Sequence, residues 1–116
     1  MSEDWARPVV HWDIQAREPQ KIREFYAQMF NWEIANGGIM SIGPGVGAPE
    51  QITGHIIQNE NPGVVLYIQV LDLKASMAKA QELGGAVTSE PIHIPDGATF
   101  AGIADPEGNR VVLVQQ

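Results

Sequence analysis

The sequence contains no cysteine, and this absence removes several protein classes at once. Without thiols there is no disulfide scaffold, no cysteine nucleophile and no thiolate metal site. No stretch approaches the roughly 18 consecutive apolar residues of a membrane-spanning helix, and the acidic start lacks the features of a signal peptide. We therefore expect a cytoplasmic protein with no membrane partner.

Basic residues are also scarce. Seven lysines and arginines stand against 14 aspartates and glutamates, which gives a net charge of −7. A field of this sign repels phosphate backbones, so nucleic acid is not an expected partner. The same charge either favours a cationic ligand or only keeps the protein in solution.

The composition fits one domain over residues 1–116. Hydrophobic residues make up 44% of the 116 positions, enough for a packed core in a chain of this length.

The first half has the pattern of one strand, one helix and three strands. Alternation over Pro8–Gln15 predicts a strand that turns Trp12 towards the helix. The helix opens at Glu18-Pro19, and its apolar stripe is expected to face the core: Ile22, Phe25, Tyr26, Met29 and Phe30. Three further strands are predicted over residues 32–35, 39–42 and 51–58. An Asn36-Gly37-Gly38 turn separates the first two of them.

Two glycine-rich segments are predicted to be links. No helix pattern follows residues 43–49, so a surface loop is favoured over a phosphate-binding loop. Residues 59–63 form a turn-rich midpoint.

The second half repeats the order of the first. A strand over residues 64–70 leads to Asp72 as a helix cap, and Leu73, Met77, Ala80 and Leu83 lie on one helical face. The strands expected after it cover residues 87–89, with an extension towards 94, then 99–104 and 110–114. The segment Asp105-Pro106-Glu107-Gly108-Asn109 is predicted to be a tight turn and not a metal loop. We therefore expect an α+β fold of two βαβββ modules, 8–58 and 64–116, that cover each other's open sheet faces.

Three motifs, taken in order and spacing, resemble a known family. They are His11-Trp12-Asp13-Ile14 followed by Glu18-Pro19, Phe25-Tyr26 and Phe30-Asn31-Trp32; Val70-Leu71-Asp72 followed by Leu83-Gly84-Gly85; and residues 105–109. Together they resemble the vicinal oxygen chelate superfamily, which contains glyoxalase I, ring-cleaving dioxygenases and bleomycin-resistance proteins. The chain is most similar to short proteins related to lactoylglutathione lyase. The resemblance implies an eight-stranded curved sheet around a central cup, a small-molecule ligand or substrate, and a homodimer.

The resemblance also implies where a metal would lie. In the family's metal enzymes, the first and last strands of each module supply one ligand each, and these positions fall on His11, His55, Val65 and Val112. At the second position the register also allows Thr53 or Gly54. Valine cannot ligate a metal, so no resident cofactor is expected. A divalent ion on His11 and His55 stays the alternative, through a shifted register that brings in Asp13 or Tyr67, or through ligands shared in a dimer.

Strand alternation extends the site on both modules. Asp13 and Gln15 share the face of His11, which is a candidate general base oriented by Asp13. The points at which the side chains of His11 and Asp13 leave the backbone are about 6.5 to 7 Å apart, so direct contact between the side chains requires suitable rotamers. A structural, partly buried histidine is the competing interpretation. The rest of the predicted pocket lining is His55, Val65, Tyr67, Gln69, Phe100 and Val112.

Four functions remain open at this point. The first is a protein of this superfamily that handles a small molecule in a two-module pocket without a complete metal site; if it is an enzyme, we expect one of the lyase, isomerase or dioxygenase kind. The second is a binding protein of the bleomycin-resistance type with no chemistry. The third is a metal-dependent lyase, isomerase or dioxygenase with a shifted or dimer-shared site. The fourth is an accessory or interaction domain whose cup is vestigial.

Overall fold

The computed structural model describes residues 6–43, 52–95 and 97–115. Within these residues, two helices and eight strands follow one another in the order β1 (Val9–Ala16), α1 (Pro19–Phe30), β2 (Met40–Ile42), β3 (Thr53–Gln58), β4 (Gly63–Gln69), α2 (Leu73–Glu82), β5 (Ala86–Val87), β6 (Ile92–His93), β7 (Thr99–Ala104) and β8 (Arg110–Gln115). The mixed α+β class expected from the sequence is confirmed. Most of the glycine-rich loop, residues 44–49, and the expected strand start at Gln51 lie outside the described residues.

The chain divides into two compact units. The first-half unit is His11–Val65, and the second-half unit comprises the remaining described residues. Neither helix that the structure describes is long and apolar enough to cross a membrane. The modules 8–58 and 64–116 remain a prediction.

The first-half unit packs α1 on neighbouring strands of the sheet in the order β2-β3-β1. β1 runs parallel to β3, and β2 runs antiparallel to β3. One sheet face and the helix enclose a core of Ile14, Ala16, Ile34, Met40 and Ile56. Trp12 packs against this core together with Tyr26 of α1, so its predicted direction is confirmed. The alternate residues of β1 and β3 therefore point to the opposite face.

α1 begins at Pro19 as predicted and ends before Asn31, whose φ of 59° lies in the left-handed region. The expectation that its whole apolar stripe is core is wrong. Ile22 and Tyr26 pack on the core, whereas Phe25, Met29 and Phe30 are 57%, 62% and 53% exposed. The core contacts the side of the helix that carries Ile22, Tyr26 and Ala27, so the remaining part of the stripe lies beyond it.

The hairpin after α1 is confirmed, but its first arm is shorter than predicted. In place of a strand over residues 32–35 there is one isolated bridge, Ile34 to Ile42. Two further backbone hydrogen bonds join the arms, from Ala35 N–H to the Ser41 carbonyl at 2.9 Å and from Gly43 N–H to the Glu33 carbonyl at 2.7 Å. Gly37 allows the turn between them with a φ of 126°.

The second-half unit packs α2 on a sheet in the order β4-β8-β7-β5, with β6 also paired to β7. β4 and β8 are parallel, and the β7 pairings are antiparallel. Its core is formed by Val70, Leu73, Ala101 and Leu113, with Met77 packed against them. The expectation that Leu83 belongs to the helical face is wrong, because the helix ends at Glu82 and Leu83 is 69% exposed.

Two turn predictions are confirmed in this unit. The carboxylate of Asp72 caps α2 by accepting the Ala75 N–H at 3.0 Å. The side chain of Asp105 accepts the backbone N–H groups of Glu107 and Asn109 at 2.9 and 3.0 Å, and Gly108 has a φ of 90°. The hydrogen bond from the Asn109 side chain is the main cause that lowers the pKa of Asp105.

The strand predicted at 87–89 divides into two short strands. β5 ends at Val87, and β6 is Ile92–His93. Thr88 N–H still donates to the Gly102 carbonyl at 2.8 Å, but the Ser89 side chain instead accepts the Gly102 N–H. This side-chain contact replaces a ladder hydrogen bond and interrupts the strand.

Candidate functional site

The parallel pairing of β1 and β3 brings four polar side chains to the sheet face opposite α1. His11 pairs with Thr53, and two residues further along Asp13 pairs with His55. Paired residues of adjacent strands point to the same face, and so do residues two apart. The histidine that the sequence placed only near the fourth-strand position therefore shares the face of His11.

These four side chains form one continuous chain of contacts. His11 Nδ1 lies 2.7 Å from Thr53 Oγ1, and His11 Nε2 lies 2.6 Å from His55 Nδ1. His55 Nε2 lies 3.5 Å from Asp13 Oδ2, which is long for a hydrogen bond but within ion-pair distance. Asp13 is only 1% exposed, whereas Thr53 is exposed. We call this group the Thr53–Asp13 relay, because it leads from the surface to a buried carboxylate.

The Asp13 carboxylate determines which nitrogens of His55 and His11 carry protons. A carboxylate faces an N–H favourably and a nitrogen lone pair unfavourably, so His55 carries its proton on Nε2. His55 Nδ1 is then the acceptor, and His11 Nε2–H donates to it. The remaining nitrogen, His11 Nδ1, has its lone pair towards Thr53 and accepts the threonine O–H. Every contact of the relay is satisfied by two neutral imidazoles.

The pKa values agree with neutral rings. Burial is the largest cause that lowers the pKa of His11, the neighbouring His55 lowers it further, and Asp13 opposes both. Burial also lowers the pKa of His55, again against Asp13. A histidine with a lowered pKa is unprotonated at neutral pH and can accept a proton.

Asp13 reaches His11 indirectly. The sequence suggested that Asp13 orients His11 as its neighbour on β1, yet in the structure the carboxylate contacts the far nitrogen of His55, which in turn contacts His11. Gln15, the third polar residue of that strand face, accepts a hydrogen bond from the Asn59 side chain at 3.1 Å.

The two histidines as they lie do not fit a shared metal ion. Two imidazole nitrogens bound to one tetrahedral zinc lie about 3.3 Å apart, given Zn–N distances of about 2.0–2.1 Å. His11 Nε2 and His55 Nδ1 are 2.6 Å apart, the separation of two atoms that share a proton. Within residues 6–43, 52–95 and 97–115, no three histidine, aspartate or glutamate side chains are grouped to hold a metal.

The predicted pocket residues of the second half share a sheet face within their own unit. Tyr67 pairs with Val112, and Gln69 pairs with Val114. The rings of Tyr67 and Phe100 meet edge to face with centroids 6.1 Å apart. Val65 belongs to the first-half unit and is 2% exposed. That all these residues line a ligand pocket stays a prediction.

Thr53 is the member of the relay that the sequence did not single out for chemistry. It entered only as an alternative register for a metal ligand. Its position two residues before His55 on a strand was the available signal, because that spacing places both side chains on one face. Its pairing with His11 depends on the parallel register and has no local signature.

A family model for a glyoxalase-like domain matches residues 9–114. The chain belongs to the glyoxalase-like domain family. The match includes both units and all four members of the relay. No curated protein matches the sequence.

Solved structures share the fold of this glyoxalase-like domain. A glyoxalase/bleomycin resistance protein/dioxygenase superfamily member from Vibrio splendidus 12B01 is 11% identical with a TM-score of 0.65, over 96% of this chain and 100% of that one. A methylmalonyl-CoA epimerase from Mycobacterium tuberculosis is 15% identical with a TM-score of 0.57, over 99% and 95% of the two chains. The Mn(II)-bound glyoxalase from Novosphingobium aromaticivorans is 16% identical with a TM-score of 0.62, over 95% of this chain and 40% of that one. These neighbours confirm the fold.

Proposed function

We propose that this glyoxalase-like domain is an enzyme that converts a small organic molecule, with His11 as its general base. The observation that carries the proposal is the Thr53–Asp13 relay. A general base must be unprotonated at working pH and held in one tautomer, and the relay supplies both conditions. Asp13 fixes the proton of His55, and His55 fixes that of His11.

His11 accepts a proton on the side of the relay where Thr53 lies. His11 Nδ1 is the unprotonated nitrogen of this ring, and it contacts the exposed residue Thr53. When Nδ1 takes up a proton, the positive charge lies next to a second imidazole that is itself backed by a carboxylate. That carboxylate stabilises the imidazolium electrostatically, which lowers the barrier to proton uptake.

The test is a thermal-shift screen of metal ions and small metabolites on the dialysed protein, followed by turnover assays of every compound that raises the melting temperature. A ligand that binds only the folded state must stabilise it. We expect at least one organic ligand to be consumed, and His11→Gln to slow its turnover about 100-fold or more, the usual contribution of a general base.

The matched control is His93→Gln. His93 is an exposed histidine that also contacts a threonine, Thr99, at 2.9 Å. This variant should retain turnover. Equal turnover by wild type and His11→Gln would remove His11 from the mechanism.

A binding protein without chemistry is the second candidate, and the net charge of −7 favours it. In that case cationic aromatic compounds would raise the melting temperature without being consumed, and salt would weaken their binding because it screens the attraction. Salt-insensitive binding would count against this candidate.

A further inference from the structure

We propose that Thr53 is a nucleophile and that the substrate class is an ester or thioester. The inference rests on the proposed function, because it uses His11 as the base and names the proton that His11 accepts. The Thr53 hydroxyl lies in hydrogen-bond contact with His11 Nδ1, with Nδ1 and Oγ1 2.7 Å apart. A hydroxyl in hydrogen-bond contact with a base that is oriented by a third group is the arrangement of activated nucleophiles.

The relay contains each part that such a nucleophile requires. Thr53 is exposed, so an acyl compound can reach its oxygen. His11 Nε2 contacts His55 Nδ1 at 2.6 Å, which holds the His11 ring in one orientation with Nδ1 towards Thr53. The buried carboxylate of Asp13 stabilises the charge that appears on the imidazole pair when the hydroxyl proton moves. In the usual arrangement the base contacts a carboxylate directly, whereas here the His55 imidazole lies between the His11 base and the Asp13 carboxylate.

The reaction balances with water as the second substrate. Thr53 Oγ1 forms a bond to the acyl carbon while its proton passes to His11 Nδ1. The bond from the acyl carbon to the alcohol or thiol breaks, and the leaving group takes that proton from His11. Water then attacks the acyl-threonine with His11 as base, which releases the acid and restores the hydroxyl.

The chain contains an internal control for this chemistry. Thr99 Oγ1 lies 2.9 Å from His93 Nδ1, so a second threonine also contacts an imidazole. In the part of the chain that the structure describes, no carboxylate or further histidine contacts His93. Comparison of Thr53 with Thr99 therefore separates the effect of the relay from that of a simple threonine–histidine contact.

The probe is a fluorophosphonate, which forms a stable ester with activated hydroxyls as its P–F bond breaks and the hydroxyl proton leaves through His11. We expect one adduct per chain in the intact mass, and peptide mapping of the wild type should place it on Thr53. Labelling of Thr99 should be slower by about 100-fold, the lower end of a general-base effect. Thr53→Ser should still be labelled, and Thr53→Val should not.

Lack of an adduct on Thr53, or equal labelling of Thr99, would overturn the nucleophile. The mapping requires only the wild-type chain, so it stays decisive if a variant fails to fold. Failure of this experiment is distinguishable from failure of the proposed function. A substrate whose turnover depends on His11 but not on Thr53 would preserve the general base and remove the nucleophile.

Discussion

At the scale of single residues, the feature that matters most is the proton arrangement between His11 and His55. Each is an ordinary histidine side chain when taken alone. Their separation of 2.6 Å makes each the hydrogen-bond partner of the other. Partial burial then favours the neutral form of both rings, because a charged imidazole loses hydration there.

This arrangement predicts a loss of stability in weak acid. Both pKa values are lowered from the ordinary 6.5, so the unfolded chain takes up protons before the folded one. The free energy of unfolding should therefore be highest above pH 6.5 and should fall as the pH drops from 6.5 to the lowered pKa values. Urea unfolding between pH 7.5 and 4.5 measures this change in the free energy of unfolding. The pKa of Asp105 is lowered below 3.8, so this carboxyl stays ionised over that range.

His11→Gln should flatten this pH dependence, because it removes one of the two titrating rings. His93→Gln serves as the control, since it removes an exposed histidine outside the relay. A free energy of unfolding that rises from pH 7.5 to 5.5 in the wild type would contradict the lowered pKa values.

At the scale of elements, the packing of β1 on β3 depends on one glycine. A Cβ built on Gly54 lies 2.6 Å from Cζ2 of Trp12, closer than real atoms approach. The indole cannot easily move aside. Its Nε1–H donates to the Ile52 carbonyl at 3.1 Å, and its ring lies against Trp32 with centroids 5.9 Å apart.

Gly54→Ala should therefore destabilise the fold by about 1–3 kcal/mol, the usual cost of overpacking a core. Because Gly54 lies between Thr53 and His55, the same change should also disturb the relay. The control is Gly38→Ala, where an added Cβ has no atom within 4 Å. Thermal or urea unfolding of both variants measures the difference, and equal stability of the two would show that Trp12 can repack.

At the scale of the whole molecule, net charge governs association. The homodimer implied by the family resemblance stays a prediction, and it would bring together two chains of charge −7. Salt screens repulsion between like charges, and the screening length falls from about 30 Å at 0.01 M to about 8 Å at 0.15 M.

We therefore expect a dimer in sedimentation velocity whose dissociation constant decreases between 0.01 M and 0.15 M NaCl. Reversal of three surface carboxylates to lysine should reduce this salt dependence, because it lowers the magnitude of the net charge. A protein that stays monomeric at every salt concentration, at protein concentrations up to tens of micromolar, would contradict the dimer.

The sequence by itself determined the order of the elements, because alternation, helical spacing, caps and turn residues are local signals. Pro19, Asp72 and the Asp105–Asn109 turn all lie where these signals placed them. Which apolar residues of α1 are covered depended on which side of the helix packs on the core. The pairing of His11 with Thr53 depended on the parallel register of two strands more than 40 residues apart. Only the tertiary structure could assemble the relay, since no local interaction links its two strands.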